Sequence, residues 1–281
     1  MSSHPPEENW PEFLPPQDES GQPSDNGGSV HQSPTVNNYS PTNDSYDWHY
    51  YETTSDFGRL PPRPKSPKRK WAFRPANITN PSVTYTLVIL CVGVWFLQLL
   101  FGPNLTSTFD LRPLLVRFEP WRLITSAFLH SPNSILHLLM NMLALYWIGS
   151  DLEKILGHAK YLTLYLLSAL GGSAFFVLLS APNSSALGAS GAIFGMFGAY
   201  AVFYKALKQN MSGILVLLLL NLSMPLFVPG IAWQAHVGGL LTGGGLTAIY
   251  LACAHRRKTV WPWVVIVTVA LFGIIFIRSF V

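Results

Sequence analysis

Charge is scarce in this sequence. Of 281 residues, 11% are charged, against about 25% in an average soluble domain. Acidic residues nearly vanish after residue 58, leaving Asp110, Glu119, Asp151 and Glu153 from a total of 14. Lys and Arg are missing from residues 1–58, so all 18 fall in the remainder. No basic face with interleaved aromatics is visible, which excludes a nucleic-acid partner despite the net charge of +4. The 2 cysteines, Cys91 and Cys253, lie inside apolar runs. They provide neither a disulfide framework nor zinc spacing, and read as small packing residues. The first 50 residues hold no apolar stretch of signal-peptide type, so the first membrane segment is expected to direct its own insertion.

What is present is hydrophobicity, 49% of the chain. Residues 1–58 are rich in Pro, Ser, Asn, Asp and Glu and are expected to be disordered, because they cannot bury enough apolar surface to offset chain entropy. A basic, proline-broken stretch follows from Arg59 to Arg74. Seven apolar runs then approach the roughly 20 residues that cross a bilayer: Val83–Phe101, Ser134–Ser150, Tyr161–Ser180, Ser190–Leu207, Gly213–Val228, Trp233–Cys253 and Trp261–Ile277. Runs of this length imply helices, since lipid leaves backbone groups no partner outside their own segment. The expected fold is an all-α membrane protein, a polytopic helical bundle. Its expected division is a cytoplasmic tail at 1–75, a core at 76–254 and an additional C-terminal transmembrane helix at 255–281.

Lys and Arg accumulate on the cytoplasmic side of membrane proteins. The cluster at Arg59–Arg74 therefore places the N-terminus inside. Alternating the runs puts Lys154, Lys160, Lys205, Lys208, Arg256, Arg257 and Lys258 in inside connectors and the C-terminus outside. The first outside connector, 102–133, is the exception, with Arg112, Arg117 and Arg122. Its mixture of apolar and charged residues predicts short helices lying at the interface.

Polar residues within apolar runs are costly and mark function by default. His137, Asn141, Ser190 and His236 all fall in the outer half of the bilayer under this topology. A serine hydroxyl needs a base to become a nucleophile, and histidine is the usual one. Gly239 and Gly243 follow His236 by three and seven residues, on the same helix face. Gly191 and Gly195 form a matching pair beside Ser190. Such small-xxx-small pairs let helix backbones approach closely, which would bring Ser190 Oγ within reach of His236. A serine among glycines is also ordinary helix packing. His137 and Asn141 share a helix face and could donate hydrogen bonds to a developing oxyanion, or satisfy one another. No Glu falls within a run and no metal-binding spacing occurs, so no metal is expected.

Four segments in order, "WR" at Trp121–Arg122, "HLLMN" at His137–Asn141, "GASGAIFG" at Gly188–Gly195 and "AHVGGLLTG" at Ala235–Gly243, resemble the rhomboid family of intramembrane serine proteases, of the type with six core helices plus one. The resemblance spans roughly residues 83–253. It implies Ser190 as nucleophile, His236 as general base, and His137 and Asn141 as oxyanion-hole donors along with the Ser190 amide. It also implies a structural role for Gly188, Trp121 and Arg122, no cofactor, and membrane-anchored protein substrates cut near the outer end of a transmembrane helix. A departure is "IAWQAH", where Trp233 and Gln234 replace residues that are often small or polar. The expected location is a bacterial plasma membrane. A non-enzymatic binder of transmembrane helices and a small-molecule transporter are the rival readings. The intact serine–histidine pair opposes the first, and the lack of repeated halves opposes the second.

Overall fold

The structure, a computed structural model, describes residues 76, 80–228 and 230–278. The acidic tail and the Arg59–Arg74 cluster lie outside the described residues. All seven apolar runs fold as helices. In chain order the helices are α1 (Ser82–Phe101), α2 (Pro103–Phe109), α3 (Arg122–Thr125), α4 (Ile135–Ala144), α5 (Ser150–Leu156), α6 (His158–Leu179), α7 (Ser190–Ala206), α8 (Ser212–Ser223), α9 (Trp233–His255) and α10 (Trp261–Arg278). A π-helical turn, Leu145–Gly149, joins α4 to α5 without a break. Among the described residues, five helical segments are long and apolar enough to cross a membrane: α1, the continuous Ile135–Leu156, α6, α9 and α10. Helix α7 has 17 residues, and α8 has 12 before a short 3-10 turn. Both are shorter than the expected span. The protein is an all-α membrane protein.

The core is built from α6, α7 and α9. Helix α6 buries residues around its whole circumference, from Tyr161 and Leu164 to Phe176 and Val177, as expected of a helix enclosed by others. Its centre is small: Ser168, Ala169, Gly171, Gly172, Ser173 and Ala174 are all buried. Burial of apolar side chains cannot by itself draw helices together in lipid, since lipid tails are equally apolar; close van der Waals packing does. Small residues make that packing possible here. A Cβ on Gly239 would run into the Gly191 carbonyl, and one on Gly243 into the Gly195 carbonyl. The two glycine pairs therefore do face each other across the α7–α9 seam.

One boundary differs from expectation. The second run was expected to end at Ser150, with Asp151–Lys160 as a connector. Instead the helix continues to Leu156 and carries Glu153 fully into the interior. The Glu153 carboxylate accepts the backbone N–H groups of Val83 (2.9 Å) and Thr84 (2.8 Å), the Thr84 hydroxyl (2.7 Å), and bonds His158 Nδ1. The Val83 and Thr84 amides are among the first four of α1 and have no partner inside their own helix. A buried carboxylate at that end satisfies them and complements the helix dipole. This pins the start of α1 to the end of α5.

The connector 102–133 folds as short helices, as expected. Arg122 organises it. The side chain is nearly inaccessible and donates to the carbonyls of Ser107 (2.8 Å) and Asp110 (2.7 Å) and to Asp110 Oδ1 (2.9 Å), with Glu119 on its other side. Leu111 and Ala186 exchange backbone hydrogen bonds of 2.9 and 3.0 Å, and Ser173 Oγ donates to the Leu123 carbonyl at 2.7 Å. The connector is thereby fastened to α6 and to the loop that leads into α7.

Candidate active site

That loop ends at Ser190, the first residue of α7. Two features aim it. Gly188 has φ of +128°, a conformation that side-chain-bearing residues rarely adopt, and a Cβ there would sit 3.0 Å from His137 Nε2. The Gly188 N–H donates to the Ser126 carbonyl at 2.9 Å, which ties the turn to the connector. Backbone amides in the first turn of a helix lack intrahelical acceptors, so the start of α7 presents N–H donors and the positive end of its dipole around Ser190.

His236 is the fourth residue of α9. Its Nε2 lies 3.0 Å from Ser190 Oγ. The imidazole is stacked on Phe194, one helical turn beyond Ser190, with ring centroids 4.2 Å apart and planes 6° from parallel. The α7–α9 seam sets the separation of the two backbones, and Phe194 sets the ring plane. Among the described residues His236 Nδ1 is buried and meets no hydrogen-bonding group. The pair therefore has no acidic third member, and the ring is held by stacking where a carboxylate holds it in a triad.

His137 comes to the same place from α4. Its Nδ1 accepts the Ser131 backbone N–H at 3.2 Å. That contact assigns the ring proton to Nε2, the nitrogen that faces Gly188. His137 thus presents a donor beside Ser190. Behind it, buried His130 has its ring 5.3 Å away. Burial, together with neighbouring His137, pushes the His130 imidazole down to about 4, so His130 is neutral at pH 7. Asn141 is buried one turn further along α4, and its Nδ2 donates to the His137 carbonyl at 2.8 Å. An amide nitrogen carries two hydrogens, so one is committed to its own helix. Trp121 stands apart from Ser190, half-exposed, with Nε1 directed to the Thr108 carbonyl at 3.4 Å. Arg122 is likewise in the connector and acts on its shape.

Beside Ser190 lies a small cavity of about 30 Å³, lined by Ala127, Ala169, Gly172, Ala186, Gly188 and Ala235 among others. Of these six, the sequence motifs include only Gly188 and Ala235. Ala127, Ala169, Gly172 and Ala186 carry no motif, and they meet only because the 3-10 turn after α3 (Ser126–Phe128), α6 and the loop before α7 converge. Cys91 and Cys253 are buried free thiols away from this site. No group of three His, Cys, Asp or Glu side chains suited to a metal ion occurs among the described residues.

The fold and the site together define a class: a polytopic helical membrane protein carrying a serine–histidine pair at one end of its bundle. Known proteins narrow it. The model of the Rhomboid domain matches residues 117–253. Rhomboid protease GluP of Bacillus subtilis is 34% identical over 179 residues, covering 58% of this chain and 34% of GluP. RHOMBOID-like protein 5 of Arabidopsis thaliana is 34% identical over 158 residues, covering 52% of this chain and 50% of the relative. Rhomboid protease AarA of Providencia stuartii is 26% identical over 237 residues, covering 71% of this chain and 83% of AarA. Over residues 117–253 this chain is similar to the Rhomboid domain, and its matches to these relatives each cover more than half of it. It spans half or less of the length of the first two relatives.

Proposed function

We propose that the protein is an intramembrane serine endopeptidase that hydrolyses peptide bonds in or near transmembrane segments of membrane-anchored substrates, using Ser190 and His236 as a catalytic dyad. The observation that carries this reading is the 3.0 Å approach of His236 Nε2 to Ser190 Oγ, within reach for proton transfer. His236 takes the hydroxyl proton as Ser190 attacks the scissile carbonyl. The oxyanion forms against the His137 Nε2–H and the backbone amide of Ser190, with the second amide hydrogen of Asn141 as a further donor. His236 then protonates the leaving amine, and water, activated by the same histidine, hydrolyses the acyl-enzyme. Each oxyanion donor contributes about 3–4 kcal/mol to the transition state.

The cavity of about 30 Å³ beside Ser190 favours a small side chain, alanine or glycine, immediately before the scissile bond. In orientation, we place the N-terminus in the cytoplasm and the Ser190 end of the bundle outside, in a bacterial plasma membrane. We also propose the division into a tail at 1–75, a protease core at 76–254 and an additional helix at 255–281.

The test is cleavage of a model transmembrane substrate by the purified chain in detergent, with Ser190→Ala and His236→Ala alongside. Each substitution is expected to lower cleavage by roughly a thousandfold or more while leaving the thermal transition in place. Retained cleavage by Ser190→Ala would overturn the mechanism. A folded wild type that binds helices but cuts none would make the chain a non-enzymatic binder.

A further inference from the structure

Helix α10 is held to the bundle by a narrow stripe. Leu271 and Ile275 are its buried residues, while Val269, Phe272 and Phe276 on the adjoining face are exposed at 66, 47 and 63%. With Gly273 these three repeat at i, i+3, i+4 and i+7, one continuous apolar face. Opposite stands the connector, through Val116, Arg117, Pro120 and Leu123, and between the two lies a groove of about 700 Å³. Its walls are apolar except at Arg117. That volume is in the range of sites that hold lipophilic small molecules, about 300–1,000 Å³. Gly273 forms the floor, and a Cβ there would meet nothing within 4 Å.

The groove's depth and charge indicate its occupant. It lies at the Ser190 end of the bundle, since Leu123 is bonded to Ser173 near the end of α6 and α10 finishes at Arg278. Trp121, half-exposed beside Pro120, is the residue type that settles at headgroup depth. A groove at that level opens on hydrocarbon on one side and on headgroups at its mouth. Arg117 lines the groove and is exposed, and Arg278 ends α10 one turn beyond Ile275. Basic residues bordering an apolar crevice between membrane helices suit an anionic headgroup.

We propose that this groove is a specific site for one anionic phospholipid. An acyl chain lies along the Val269–Phe276 face over Gly273, and the phosphate is held by Arg117. The lipid completes the packing between α10 and the connector, where the groove separates the described side chains. The proposal stands independently of catalysis.

Native mass spectrometry of the full chain in detergent, titrated with a phosphatidylglycerol or a phosphatidylcholine of identical chains, tests it. The wild type is expected to show a saturable one-to-one adduct with about fivefold preference for phosphatidylglycerol, the advantage of one cation near a headgroup. Gly273→Trp fills the groove and should weaken both lipids tenfold or more. Val269→Trp, at a more exposed position on the same face, should act likewise if Gly273→Trp fails to fold. Arg117→Gln should abolish the preference and keep the adduct. Unsaturable adducts, equal affinity for the two lipids in the wild type, or unchanged binding in folded tryptophan variants would each overturn the site. Displacement of the lipid by a transmembrane peptide that binds more tightly would assign the groove to a partner helix instead.

Discussion

Helices α7 and α8 are consecutive in the chain and both strongly apolar, yet α7 buries ten residues and α8 none. The difference lies in side-chain size. Helix α7 reads Ser-Gly-Ala-Ile-Phe-Gly-Met-Phe-Gly-Ala over its first ten residues, whereas α8 is dominated by Leu, Ile and Val. In water both would be driven inward. In lipid, apolarity offers no net reason to leave the solvent, and helices associate where backbones can approach. Helix α7 does so at Gly195 and Gly198, where backbone carbonyls and an amide of α9 and the Ser168 side chain occupy the space a Cβ would need. Helix α8 has no such stripe and leaves Leu219 and Leu220 exposed at 67 and 61%. The proposed chemistry sits on the glycine seam, the part of the bundle least able to shift.

The sharpest way to break this comparison is a single methyl group in the seam. Gly239→Ala would set a Cβ on the Gly191 carbonyl. Backbone cannot rotate aside as a side chain can, so α7 and α9 must separate, carrying Ser190 from His236. The expected cost is about 3 kcal/mol or more of stability, with cleavage reduced at least a hundredfold. Thermal unfolding in detergent and cleavage of a model substrate measure the two. If Gly239→Ala unfolds and cleaves as the wild type does, the seam is not the rigid element described here.

How much of this was legible in the sequence follows the same division. The seven runs were visible because lipid demands length and apolarity together, and the seam because glycines at i and i+4 identify a face. Ser190 and His236 could be paired from the sequence, since Ser190 stands beside one glycine pair and His236 shares a helix face with the other. Glu153 could not. Its neighbours Asp151 and Lys154 make the segment read as a polar connector, although Leu152, Ile155 and Leu156 continue an apolar helical face. What makes Glu153 interior is the start of α1, some seventy residues away. The Arg122 cluster and the Leu111–Ala186 pairing were hidden for the same reason, since their partners are set by tertiary approach. The roles of His137 and Asn141 were left open between donors and mutual partners. Each now has an assigned hydrogen bond: Nδ1 of His137 is occupied by Ser131, and one amide hydrogen of Asn141 by the His137 carbonyl.

His137 sharpens the comparison, because it reaches Ser190 from α4, outside the glycine seam. If the seam supplies rigidity and α4 supplies a donor, His137→Ala should separate the two. Cleavage is expected to fall about a hundredfold in kcat with little change in KM, the pattern of a contact made mainly in the transition state. Stability should drop by only about 1 kcal/mol, for the lost hydrogen bond to the Ser131 amide. A parallel fall in unfolding temperature as large as that of Gly239→Ala would mean that His137 is structural.

The smallest effect is expected on α8, and its sign matters more than its size. Gly213 lies in the first turn of α8, and a Cβ there meets nothing within 4 Å. Glycine inside a helix costs up to about 1 kcal/mol relative to alanine, through the greater backbone freedom it gives up on folding. With no packing to lose, Gly213→Ala should raise the unfolding temperature slightly and leave cleavage by the dyad unchanged. The same substitution, glycine to alanine, would then destabilise in one helix and stabilise in another of the same bundle. That reversal is predicted by backbone approach and by no scale of hydrophobicity, because both changes add the same methyl group. Destabilisation by Gly213→Ala would show that α8 packs against the bundle more closely than its exposed face indicates.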